Sequence, residues 1–149
     1  MNDTLMYLTL EVLCMSDETE QIKQKWKGVR YRYNGRSTIG VDCIGILYGV
    51  YACLDILLPG KQLSKANIGV FLQLLKRCCT TVKDQIQSYD IVLFRLEGRG
   101  QVLHCGVYLD NDEFIHVLGS QEVQVDKFSQ WKPQFIRGYR LRSQLCHQQ

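Results

Sequence analysis

Cys43, His104 and His116 are the residues in this chain whose type and spacing could support nucleophilic chemistry. Cys43 stands in "IGVDCIGILYGVYACLDILLPG", residues 39–60, where a glycine-punctuated turn leads into a long apolar run and Asp42 immediately precedes the thiol. With Asp42 as N-cap, Cys43 falls in the first helical turn, where unpaired backbone N–H groups and the positive end of the dipole stabilise a thiolate. Such a position lowers a cysteine pKa. Cysteine is also a common small core residue, and position alone leaves both readings of Cys43 open. Cys53, Cys78, Cys79, Cys105 and Cys146 lack the combination of turn, capping acid and helix start.

A thiol nucleophile needs a base. Of the three histidines, His147 lies close to the end of the sequence and is set aside as frayed. His104 and His116 fall in "LHCGVYLDNDEFIHV", which reads as two strands around a turn. An imidazole beside a cysteine accepts the thiol proton, and a polar group on its far nitrogen holds the tautomer. A lone strand histidine is more often structural; two at this spacing, downstream of a helix-start cysteine, favour the chemical reading.

Register decides whether the histidines meet. With a three-residue loop Asp110-Asn111-Asp112, Leu109 pairs with Glu113, His116 falls opposite Gly106, and His104 is its diagonal neighbour on the same face. With a two-residue loop His116 moves opposite Val107 and faces away from His104, unless a bulge intervenes. The triad therefore requires the odd loop or a bulge; Asn and Asp tolerate the left-handed backbone that such a loop uses. Cys105 and Val107 then turn to the core.

The elements that must hold these residues are legible around them. "SDETEQIKQKWKG" reads as a helix capped by Asp17, with Glu20 three residues on, Ile22 and Trp26 on one face, and Gly28 as the stop. "VRYRYNGRSTIG" reads as a loop punctuated by Gly35, Ser37 and Gly40. Residues Ile44 to Leu58 carry apolar rows all round, predicting a buried helix in which Gly45 and Gly49 let another element approach. A further helix is expected from about Asn67 to Cys79, with Val70, Phe71, Leu74 and Leu75 inward. From Asp90 the pattern changes to short strands, "DIVLFRL", "QVLHCGVYL", "EFIHVL", "EVQV" and "FIRGYRLR", separated by turns such as "EGRG". Helices followed by strands predict an α+β fold with a mostly antiparallel sheet. Residues 16–149 read as a single domain, with 1–15 a short N-terminal appendage.

Composition removes several function classes. The net charge of +3 is dispersed, with no run of basic residues, so nucleic acid is not an expected partner. No apolar run approaches a membrane span, and the first fifteen residues lack the basic region and cleavage site of a signal peptide. Seven cysteines form an odd set without a CxxC, which disfavours a disulfide scaffold or structural zinc and points to folding in a reducing compartment.

The stretches "GVRYRYNGRSTIGVDCIGIL", "DIVLFRL", "LHCGVYLDNDEFIHV" and "FIRGYRLR" resemble the NlpC/P60 family of papain-like cell-wall cysteine peptidases, especially its phage-tail-associated type, over residues 17–142. The resemblance implies a papain-like fold in which a buried nucleophile helix packs on the sheet. It makes Cys43 the nucleophile, His104 the base and His116 the residue that orients His104. Tyr31 matches the tyrosine lining the substrate cleft, and Asp42 the acid that in several members meets the amino group of the bound stem peptide. The implied substrates are peptidoglycan stem peptides, without a metal or organic cofactor. Ile44 replaces the usual serine after the cysteine, Arg30-Tyr31 replaces Pro-Tyr, and Leu103-His104-Cys105-Gly106 replaces Ser-His-Val-Gly. Expected partners are a phage tail or a secretion machine, which would carry a chain made in the cytoplasm to the virion tail or out of the cell. Two other readings of the same fold are a tail-tip plugging module without turnover, and an exported toxin or wall-recycling hydrolase.

Overall fold

The computed structural model describes residues 17–61, 63–98 and 102–142. The appendage at 1–15, Arg99 and Gly100 of the "EGRG" turn, Cys146 and His147 lie outside the described residues. Residues 17–26 form helix α1, which buries Ile22 and Trp26 and ends at Gly28, whose φ of +86° is the left-handed stop expected of a glycine. Asp17 lies inside this helix instead of capping it.

The segment expected to be a loop holds a small hairpin, β1 (Arg36–Ser37) and β2 (Gly40–Val41), with Tyr31 bridged to Val41 and Arg30 to Glu122. Helix α2 spans Gly45–Cys53, and every residue from Gly45 to Tyr51 is buried. A Cβ on Gly49 would stand 2.2 Å from the Trp26 ring, so this glycine lets α1 cross α2 closely. Full burial of side chains such as Ile46, Leu47 and Val50 contributes roughly 1.5–3 kcal/mol each. The helix stops short of the expected Leu58. Asp55 adopts a left-handed φ of 57°, the Ile56 N–H bonds back to the Tyr51 carbonyl, and Leu57 is left exposed.

A 3-10 turn (Lys65–Asn67) leads into α3 (Ile68–Cys78), which buries Phe71, Leu75 and Cys78. Val70 is exposed, because it sits about 100° around the helix from Phe71.

The remaining strands are β3 (Cys79–Val82), β4 (Ile91–Leu96), β5 (Val102–Tyr108), β6 (Glu113–His116), β7 (Gln124–Lys127) and β8 (Phe135–Leu141), with a short helix α4 (Phe128–Trp131) before β8. They form one six-stranded sheet in the order β3-β8-β4-β5-β6-β7, antiparallel at every pairing. The α+β architecture is the expected one. The periodicity reading missed β3, whose "CTTV" is too short to show alternation, and set the seventh strand two residues early. Asp90 and Arg140 fasten β4 to β8: the guanidinium donates to both carboxylate oxygens, at 2.9 and 2.7 Å.

Candidate active site

The site begins at the start of α2. Regular helical bonding runs from Gly45, but the first turn is closed earlier, because the Asp42 carbonyl accepts the Ile46 N–H at 3.0 Å. The Asp42 carboxylate accepts the N–H groups of Ile44 (3.1 Å) and Gly45 (2.8 Å), so Asp42 acts as the cap and Cys43 is the first residue of the turn. The same carboxylate accepts the Asn34 N–H at 3.0 Å and pairs with the Arg36 guanidinium at 2.8 Å. Arg36 is held in turn by the carbonyls of Gly35, Lys61 and Leu63. Asp42 is therefore fully buried and engaged by the protein itself, where the resemblance had it meeting the amino group of a substrate. Cys43 and Ile44 are buried beside it.

Cys43 meets the sheet at β5, where the Cys105 thiol donates to its carbonyl at 3.2 Å. Neighbours along β5 alternate, so Cys105 faces the helices and His104 the opposite side. The β5–β6 register pairs Val107 with Ile115 and Tyr108 with Phe114, and it sets His116 across from Gly106. This is the three-residue loop. Asn111 and Asp112 take left-handed φ values of 49° and 63°, and the Leu109 N–H bonds the Glu113 carbonyl at 2.8 Å. A Cβ on Gly106 would stand 2.7 Å from the Ile115 carbonyl oxygen and 3.0 Å from the His116 Cβ, so only glycine leaves this space. Across it, His104 Nε2 and His116 Nδ1 are hydrogen-bonded at 2.8 Å.

Sequence reading missed two further residues here. His116 Nε2 is 2.8 Å from Asp126 Oδ2 on β7, so His104, His116 and Asp126 form a chain of hydrogen bonds. Asp126 stands opposite Phe114, one step diagonal to His116. The alternation of "QVDK" could have found it only with the β6–β7 register in hand. The second is Trp131, whose ring lies 4.9 Å from that of His116 and 5.9 Å from that of His104. Asp112 fixes the helix that carries it, accepting the Ser129 N–H at 2.8 Å and the Ser129 hydroxyl at 2.6 Å. Phe94 and Phe114 complete an aromatic wall around the imidazoles.

Burial, and secondarily the neighbouring His104, lower the pKa of His116 to about 4 against the opposing pull of Asp126, which leaves it neutral near pH 7. The nitrogens of the cluster bond one another instead of converging on a point. Among the described residues no group of three or more His, Cys, Asp or Glu could hold a metal ion.

Tyr31 is half-buried, with its N–H on the Gln121 carbonyl at 2.8 Å. It lines a polar cleft of about 480 Å³ together with Arg30, Ser120, Gln121, Glu122 and Gln124. Gln124 pairs with His116 across β6 and β7, so this cleft adjoins the histidine chain.

A thiol at a capped helix start, a two-histidine pair and a flanking cleft are the parts of an acyl-transfer site. Residues 28–140 match the model of the NlpC/P60 family. The chain belongs to that family. Among curated proteins it is 30% identical over 121 residues to a probable endopeptidase NlpC of Escherichia coli, covering 79% of this chain and 73% of that protein. It is 27% identical over 121 residues to the murein DD-endopeptidase MepS/murein LD-carboxypeptidase of the same organism, with 79% of this chain covered but only 58% of the relative's length. The expected class, a cysteine endopeptidase, agrees with these names. Among solved structures, the NlpC/P60 domain of the peptidoglycan hydrolase SagA superposes with a TM-score of 0.58 at 18% identity, over 85% of this chain and 96% of that one. RipD of Mycobacterium tuberculosis, described as a non-catalytic NlpC/P60 domain protein adapted to peptidoglycan binding, superposes equally well, at 0.58 with 19% identity over 87% and 97%. Family fold alone therefore does not decide turnover.

Proposed function

We propose that this chain is a cysteine endopeptidase that hydrolyses peptide or isopeptide bonds in peptidoglycan stem peptides. The observation that carries the reading is the His104–His116 hydrogen bond of 2.8 Å on the strand that meets Cys43. A domain kept only for binding has no need of that pair. The names of the murein-cleaving relatives support the substrate class.

His104 takes the Cys43 proton, and the thiolate attacks the scissile carbonyl carbon. The resulting oxyanion is met at the start of α2 by the Cys43 N–H, with the Tyr31 hydroxyl as a second donor. The imidazolium of His104 then protonates the departing amine, which leaves a thioester. His104 next deprotonates a water that attacks this thioester, and the acid product leaves as the thiol is restored. His116 orients His104, and Tyr31 lines the cleft that receives the peptide. Asp42 contributes by fixing the helix start. The finer proposal is an enzyme carried by a phage tail, checked by looking for the chain in purified virions.

The test of function is digestion of purified peptidoglycan by the native protein and by Cys43→Ala, with released fragments read by mass spectrometry. The native protein should release stem-peptide fragments of one cleavage type and Cys43→Ala none. Equal release by both, or no release by either, overturns the reading, and the second outcome leaves a non-catalytic binding module.

A further inference from the structure

We propose that Asp126 is a positioning residue that fixes the tautomers of both histidines, so that His104 presents an unprotonated Nδ1 to the thiol. The inference rests on the functional reading above and follows from the direction of a hydrogen-bond chain. A neutral imidazole carries one N–H and one lone pair, whereas an ionised carboxylate only accepts. His116 touches Asp126 through Nε2 and His104 through Nδ1. The Asp126 carboxylate therefore requires the proton of His116 on Nε2, and Nδ1 of a neutral His116 is left as an acceptor. His104 Nε2 must then be the donor across the 2.8 Å contact, so the lone pair of a neutral His104 is on Nδ1.

Reversing the chain reverses the chemistry. With the His116 proton on Nδ1, His104 Nε2 becomes the acceptor and its proton moves to Nδ1, where it blocks removal of the thiol proton. Only the orientation imposed by an acceptor at the Asp126 end leaves the base in working form.

The surroundings support this assignment. His116 is 1% exposed while the Asp126 side chain is 31% exposed, so the carboxylate meets water at one end and the buried ring at the other. Phe114 from β6 and Trp131 from α4 pack on the His116 ring, Phe94 from β4 packs on His104 and Phe114, and the ionisable groups acting on His116 are His104 and Asp126. Burial keeps His116 neutral, which the directional chain requires. In a wall of aromatic rings the two hydrogen bonds are stronger than in water.

The experiment uses the full chain as Cys43→Ala, so that no thiolate competes for the proton, and reads the ring ¹⁵N shifts of both histidines near pH 7. The expected spectrum has His104 protonated on Nε2 with Nδ1 bare, and His116 protonated on Nε2. Adding Asp126→Leu should move both rings toward the Nδ1–H form; Asp126→Asn, whose carbonyl can still accept, should move them less. In the Cys43-containing enzyme Asp126→Leu should lower kcat with little change in KM, by at least about tenfold and less than the roughly 10⁴-fold cost of a wrong tautomer in a Ser-His-Asp site. A native His104 protonated on Nδ1, or spectra unmoved by Asp126→Leu, overturns the proposal. Because the spectra need no turnover, failure to cleave peptidoglycan would sink the functional reading and leave the tautomer assignment to be judged separately.

Discussion

On one face of β4, β5 and β6 stand Leu93, Cys105, Val107 and Ile115, packed with the residues of α2 in a single hydrophobic core. On the other stand Phe94, Phe114, His104 and His116, walled by Phe128, Trp131 and Phe135. The same alternating strands build both, yet the first face carries thiols, Cys43 and Cys105, among apolar side chains and the second holds a hydrogen-bonded chain of imidazoles ending in a carboxylate. Burial does different things on the two sides. Against the helices it supplies hydrophobic stabilisation; among the aromatic rings it strips water from the His116 imidazole and keeps it neutral. Cys43 lies in the core of the first face and the histidine chain on the second, so the proposed chemistry draws on both, and substitutions in the core and in the histidine chain should differ in what they cost.

The largest division is expected at the base. His104→Ala should lose about 10²- to 10⁴-fold in peptidoglycan hydrolysis per folded molecule, while His116→Gln keeps a measurable fraction because an amide can still orient the base. Full activity of His104→Ala in a turnover assay would dissolve the distinction between the faces. Next comes a cut on the helix side. Ile115→Ala, at a fully buried position, should cost about 3 kcal/mol in denaturant unfolding while activity per folded molecule is retained. Loss of activity without loss of stability there would mean that the two faces are coupled.

Gly106→Ala probes the boundary between them. Its Cβ would press on the Ile115 carbonyl and on His116, so we expect about 1–3 kcal/mol of destabilisation together with a weakened histidine pair, seen as altered imidazole shifts. Unchanged imidazole shifts in a folded variant would show that the glycine is not what admits the pair. The smallest effect concerns pH. Because burial lowers the His116 pKa from 6.5 to about 4 in the folded protein, the unfolded chain binds more protons between those values, and native stability falls as pH drops through that window. His116→Gln should remove this slope, flattening the fall between pH 7 and pH 5 by roughly 1–2 kcal/mol. Parallel pH curves for the two proteins would place the acid sensitivity elsewhere.

Much of this was legible in local chemistry. Asp42 before Cys43 announces a capped turn, and "LDNDEF" between two alternating runs announces a hairpin with left-handed residues; both depend on neighbours a few positions apart. The limits of α2 were less legible, since the apolar run continues to Leu58 while the chain turns at Asp55, whose backbone leaves the helical region. The small hairpin at Arg36–Val41 and the strand Cys79–Val82 were hidden because each is too short to show a period.

The sequence by itself determined the candidate reactive residue types, their order along the chain, the α+β class and the hairpin between the two histidine strands, because propensity, capping and period-two alternation act over a few residues. It left the loop at two or three residues, and the tertiary structure chose three. The tertiary structure alone decided that Asp126 would receive His116, that Trp131 would cover the pair, and that Arg36 would bury the Asp42 carboxylate at the helix start instead of leaving it for a ligand. These partners come from β7, α4 and the hairpin after α1. Sheet order and docking bring them together, and those are set by the packing of the whole core, which no local pattern encodes.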